Sequence, residues 1–202
     1  MFTFKGSPVY IKIWFLLLFA WLSPSMVVAI FLSVLVHELA HAFAAVRLGY
    51  TVRQIYIDLF YGAAEIDLEH CPEKDSIKII AAGPISNLLL ALVSISFAAF
   101  SAQLGGWFAG TVFMAEMIYI NFALFAFNLL PIYPMDGGKI LRSALMMKMP
   151  KNRRLGKRIS DWVSLSTSVA LFAVCVYTSS ILLGIFSLLF IYFALKELNY
   201  IK

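Results

Sequence analysis

Charge is what this chain has least of. Asp, Glu, Lys and Arg make up 13% of its 202 residues, against about 25% in soluble domains. Hydrophobic residues make up 62%. So few charged groups cannot cover a globular surface, which excludes an ordinary soluble domain and indicates an integral membrane protein. Cysteine is scarce too: Cys71 and Cys175 are the only two, too far apart in a multi-span layout for a disulfide framework. The net charge of +5 has no soluble module to present it, so nucleic acid is not an expected partner. The length accommodates about six spans of roughly 20 residues and short connections. One domain over residues 1–202 is therefore expected, an all-α polytopic membrane fold with a core over about 8–150 and accessory helices over about 160–198.

Apolar blocks fall at about 9–23, 26–48, 76–101, 107–130, 160–178 and 181–198, separated by Pro, Gly or Ser. Lys5 and Lys12 before an apolar run, with Met26-Val27-Val28-Ala29 behind it, resemble a secretory signal. Cleavage there would cut just ahead of the next apolar block, so an uncleaved first span is the better reading. With the N-terminus inside, the outer connections are 23–25, 101–106 and 178–180, and none contains Lys or Arg. All 16 basic residues then fall on the cytoplasmic side, as the positive-inside rule requires. Eight of them, from Lys139 to Arg158, lie between the fourth and fifth blocks, where they can also meet anionic headgroups. Both termini are expected to be cytoplasmic, in a bacterial cell membrane.

Two of the three histidines stand four residues apart in His37-Glu38-Leu39-Ala40-His41, inside the second block. Positions i and i+4 share a helix face, so both imidazoles can bind one Zn²⁺, with Glu38 placed to take a proton from an attacking water. His41 lies six residues before Arg47, which puts a metal on the order of 10 Å below the cytoplasmic surface. A catalytic zinc normally has three protein ligands and an open position. Asp136 is the candidate for the third, because Asn128-Leu129-Leu130-Pro131-Ile132-Tyr133-Pro134-Met135-Asp136-Gly137-Gly138 breaks an apolar block with two prolines and two glycines. Irregular backbone at membrane depth is tolerated where protein buries it or where it lines a wet cavity. An Asp capping the helix that begins near Gly137 would suit the same position.

Other features have bland and functional readings side by side. Gly83, Asn87, Ala91, Ser94, Ala98 and Ser101 form a small and polar stripe at helical spacing, which fits close helix packing; Asn87 can also steady the metal ligands from outside. Asn121 and Asn128 share a helix face, and an interhelical hydrogen bond is the preferred role for Asn121. Glu116 sits about 120° around that helix from Asn128 and receives no role. His70-Cys71 is read as incidental. Residues 51–70 alternate as strands do, with Gly62 near a turn, and suggest a β-hairpin.

HExxH, Ala82-Gly83-Pro84-Ile85-Ser86-Asn87 and the Asn-x-x-Pro-x-x-Pro-x-Asp-Gly stretch occur in this order, and together they resemble the site-2 proteases, intramembrane zinc metalloproteases. The likeness covers roughly residues 8–150 and is greatest to the small six-span bacterial branch that includes the sporulation protease. No PDZ or CBS domain is expected. The resemblance implies one Zn²⁺ per chain on His37, His41 and Asp136, Glu38 as general base, and Asn128 against the substrate carbonyl or its oxyanion. It assigns Gly83, Pro84, Asn87, Pro131 and Pro134 to support or packing around the site. It further implies that 51–70 is a re-entrant loop holding the substrate as an added strand, with Ile55, Ile57 and Leu59 as pairing residues. The expected partner is a single-span membrane-protein substrate, with regulatory membrane proteins as further partners, in regulated intramembrane proteolysis. Two rivals remain at this stage: a membrane metal-binding or transport protein, which has no need of an acid at Glu38, and a scaffold that binds membrane proteins without cutting them.

Overall fold

The structure is a computed structural model that describes residues 2–4, 7–11, 19–57, 62–67, 71–103 and 108–198. Among them are six α-helices: α1 (Pro24–Arg47), α2 (Glu73–Gln103), α3 (Phe108–Asn128), α4 (Asp136–Lys148), α5 (Arg153–Thr178) and α6 (Ile181–Glu197). Four strands accompany them, β1 (Phe2–Phe4), β2 (Ser7–Ile11), β3 (Val52–Ile57) and β4 (Gly62–Ile66). By length and composition α1, α2 and the stretch from Pro150 to Thr178 can cross a membrane, and Val112–Asn128 is a shorter apolar helix. The fold is thus a mostly helical, polytopic membrane fold with a small sheet. The chain divides into two compact units, one of residues 1–70 and 82–126, the other of residues 71–81 and 127–202.

In the first unit, α1 begins where Ser23 accepts a hydrogen bond from the Met26 N–H at 3.2 Å, ahead of Pro24 at the first helical turn. It ends at Arg47 with Leu48 as C-cap, and the chain turns away at Gly49, whose φ of +90° suits glycine. Ala29 of α1 packs against Met117 and Ile120 of α3, and Val27 against Ile57 at the end of β3. The expected hairpin is present: β3 and β4 pair antiparallel from Val52–Ile66 to Ile57–Gly62. Because Val52 follows the end of α1 and Ile57 packs near its start, β3 runs back along the helix. Polar cross-strand pairs, Arg53 with Asp67 at 2.9 Å and Gln54 with Glu65 at 2.6 Å, lie at the base of the hairpin. The apolar Ile55 and Ile57 lie toward its tip.

Two expectations need correction here. The block at 9–23 does not begin as a helix: Ser7–Ile11 is a strand, pairing with β3 in parallel from Val9–Ile55 to Ile11–Ile57. Residues 12–18 lie outside the described residues. A short apolar run reads alike as helix or strand from periodicity, and the β3 edge, which satisfies the backbone of β2 and helps bury Val9, decides the matter. The second correction concerns substrate pairing at Ile55 and Ile57. The strand order is β1-β2-β3-β4, so both edges of β3 at these residues are taken and both side chains are fully buried. Leu59 lies outside the described residues.

In the second unit, α4, α5 and α6 pack with the start of α2, where Arg153 pairs with Glu73. Gly156 brings α5 against α4, since a Cβ there would lie 3.1 Å from the Leu145 carbonyl. The segment from Leu129 to Met135 folds onto the first turn of α4. A Cβ on Gly137 would stand 2.5 Å from the Leu130 oxygen, and one on Gly138 would stand 2.5 Å from the Ile132 oxygen. The paired glycines are there because the chain passes too close for any side chain.

Candidate metal centre

His37, Glu38 and His41 are all buried on α1. The two imidazoles lie edge to face, with centroids 4.7 Å apart, and their Nε2 atoms face each other at 3.1 Å. His37 Nδ1 is 2.5 Å from Asn87 Oδ1 on α2. An amide oxygen only accepts, so Nδ1 carries the proton and the Nε2 lone pair is left for a metal. The amide of Asn87 is held in turn. Its Nδ2 donates to Asn121 Oδ1 at 2.8 Å and to the Ser33 carbonyl at 3.3 Å. Asn121 Nδ2 donates to Ser33 Oγ at 2.8 Å and to the Met117 carbonyl at 2.8 Å, while Ser33 Oγ donates to the Ala29 carbonyl at 2.7 Å. Each side chain in this chain of four is fully buried or nearly so. Such a network fixes the ring orientation of His37.

Gly83, one turn before Asn87 on α2, completes the setting. A Cβ at this position would lie 2.6 Å from His37 Nε2 and would run into the His41 ring. The absence of a side chain keeps open the space beside both nitrogens. Pro84, fully buried in the interior of α2, follows.

Asp136 is the first residue of α4 and is buried. Met135, the N-cap residue ahead of it, makes no side-chain cap bond. Lys139, with its side chain partly exposed, places Nζ 3.7 Å from the Asp136 carboxylate. Among the described residues His37, His41 and Asp136 form one buried group in which each offers a ligand atom, these atoms lying within 4.8 Å of one another. Two neutral imidazoles and a carboxylate suit zinc. The forced tautomer of His37 and the clearance at Gly83 fit the same ion, and the group can hold one.

Asn128 is the last residue of α3 and is half-buried, as are Pro131 and Pro134 in the segment that follows. Glu116, left without a role by its sequence, accepts hydrogen bonds from Ser23 Oγ at 3.2 Å and Ser25 Oγ at 3.1 Å at the start of α1. A carboxylate there meets the positive end of the helix dipole. Ser33 was also missed, although its spacing of four from His37 places it on the same face of α1. Cys71 donates to the Pro72 carbonyl at 3.5 Å; His70 lies outside the described residues.

Residues 25–112 and 102–175 match peptidase family M50. The chain belongs to this family, that of the site-2 proteases. It is 29% identical over 173 residues to a zinc metalloprotease of Methanocaldococcus jannaschii, a stretch covering 84% of this chain and 48% of that protein. It is 30% identical over 139 residues to stage IV sporulation protein FB of Bacillus subtilis, covering 64% of this chain and 44% of that protein. The chain thus spans about half the length of these curated relatives. Its fold is similar to that of the site-2 protease from M. jannaschii, with a TM-score of 0.67 at 22% identity, over 100% of this chain and 95% of that one.

Proposed function

We propose that this M50 chain is an intramembrane zinc metalloendopeptidase that hydrolyses peptide bonds within or near transmembrane segments of membrane proteins, in regulated intramembrane proteolysis. The observation that carries the reading is the buried group of His37, His41 and Asp136, with the acid Glu38 beside it on an apolar helix. A bound Zn²⁺ would supply Lewis acidity, bringing the pKa of a water toward about 7 and polarising the scissile carbonyl. Glu38 takes the proton of the attacking water and delivers it to the leaving amine. Asn87 holds the His37 ring in the tautomer that leaves Nε2 free, and Asn128 is assigned to the substrate carbonyl oxygen. A metal-transport or scaffolding role would leave the acid at position 38 without a purpose.

The substrate is a single membrane span that must be unwound before attack, because a helix hides its carbonyls. Strand addition to the sheet achieves this. Since β3 is flanked on both sides, the receiving edge is assigned to β4, the outermost strand at this end of the sheet. The hairpin runs back along α1, so if α1 crosses the bilayer the hairpin is re-entrant, with its internal pairing satisfying the backbone there. Both termini and the basic segment around α4 and α5 are assigned to the cytoplasmic side.

The test compares membranes containing the wild type with membranes containing Glu38→Gln. The variant should retain about one zinc per chain and accumulate uncut single-span fragments, because the general base is not a ligand. Undiminished cleavage by Glu38→Gln would refute the mechanism.

A further inference from the structure

We infer that Arg142, Asp161 and Ser164 position the metal-binding carboxylate of Asp136, so that α5 and α6 belong to the scaffold of the metal site rather than flanking it. The inference rests on the metalloprotease reading and adds residues outside the motifs that carry it.

Asp136 opens α4, and the chain before it, from Leu129 to Met135, has no regular structure of its own. The position of the carboxylate therefore depends on this segment. Two contacts hold the segment at Tyr133, three residues ahead of Asp136. The Tyr133 backbone N–H donates to Ser164 Oγ of α5 at 2.9 Å. The guanidinium of Arg142 lies 4.0 Å from the centre of the Tyr133 ring. Arg142 is itself anchored, with Nη2 2.6 Å from Asp161 Oδ1 on α5 and 3.0 Å from Glu197 Oε2 at the end of α6. Arg142 and Asp161 have side chains only 16% and 4% exposed. Charges this deeply buried are costly unless paired and geometrically constrained.

The path from Tyr133 to Asp136 has little slack. Gly138 brings the first turn of α4 so close to the Ile132–Tyr133 backbone that a Cβ would stand 2.5 Å from Tyr133 N. A displacement of Tyr133 therefore carries α4 and its first residue along. Arg142 is six residues beyond Asp136 on α4, about 9 Å along the axis, so it acts through Tyr133 and not as a ligand. Metal–ligand distances tolerate only about ±0.2 Å, which makes a small shift of this segment consequential. Ser164 does more than fill space: it accepts from the backbone N–H of Tyr133.

The experiment uses the full chain purified in detergent, with zinc affinity measured by chelator competition and the visible d–d bands recorded for the Co²⁺-substituted protein. Asp161→Asn keeps the side-chain shape and removes the charge that anchors Arg142. It should weaken zinc binding about 10–100-fold, the range for residues that orient metal ligands from outside, and should shift the Co²⁺ bands. Ser164→Ala, which leaves every charge in place, should weaken zinc binding several-fold. Arg154→Gln, an exposed cation near the start of the same helix, should change neither reading. If Asp161→Asn does not fold, Ser164→Ala decides alone. Wild-type zinc affinity and unchanged Co²⁺ bands in the folded variants would overturn the inference while leaving the metalloprotease reading intact. Failure of the wild type to bind zinc would overturn that reading, and the inference with it.

Discussion

Gly83→Ala separates what the metal needs from what the fold needs. The added methyl would sit 2.6 Å from His37 Nε2 and overlap the His41 ring, where carbon–nitrogen contacts normally begin near about 3.4 Å, so an atom must give by roughly 1 Å. The backbone of α2 is poorly placed to give, being a helix interior with the buried Pro84 next in sequence. The imidazoles are side chains and can swing. For the fold, Gly→Ala within a helix contributes about 0.5–1 kcal/mol of stability, while overpacking costs about 1–3 kcal/mol, a net loss of at most about 2.5 kcal/mol. For the metal the effect is far larger. Both Nε2 atoms leave the position where they face each other at 3.1 Å, and zinc requires them within about ±0.2 Å. Zinc affinity should fall by more than about 100-fold, beyond the range for residues that merely orient ligands, in a protein that remains folded. Zinc content by mass spectrometry and affinity by chelator competition, beside a thermal melt of the metal-free protein, provide the assay. One tightly bound zinc per chain in Gly83→Ala would refute the placement of the imidazoles against α2.

Asn87→Ala should lower zinc affinity about 10–100-fold and destabilise the protein by about 2–4 kcal/mol, since it leaves His37 Nδ1 and Asn121 Oδ1 buried without their partner; equal melting temperatures and equal zinc affinities would contradict the network. Replacing Ala64 with Pro removes a strand donor in β4, which pairs at this residue with Ile55; cleavage of a model substrate should fall while zinc stays bound, and unchanged cleavage would count against strand addition at this edge. Cysteines introduced at Ser179 and Arg153, which stand at opposite ends of α5, should be labelled from outside and inside the cell respectively; labelling of position 153 from outside would reverse the orientation.

The metal-holding group was legible in the sequence because it is written in local spacing. His37 and His41 share a helix face by the 3.6-residue period, and the Pro- and Gly-rich break around Asp136 announces irregular backbone at membrane depth. The match to family M50 over residues 25–112 and 102–175 takes in both motifs. The hairpin was legible too, from alternation over a few residues on either side of Gly62. Pairings between distant segments were not. Nothing in an apolar run at 7–11 distinguishes a strand from the start of a span until the edge of β3 is there to receive it. That pairing in turn closes the edge at Ile55 and Ile57 where a substrate strand was expected. Asn87, Asn121 and Ser33 could each be read as packing or hydrogen bonding, and only their meeting across α1, α2 and α3 makes them one chain ending on His37. The same holds for Arg142 and Asp161, which are 19 residues apart and carry no periodic signal. Period and composition therefore determine which residues can do the chemistry, whereas the orientation of those residues depends on long-range contacts that only the folded chain brings together.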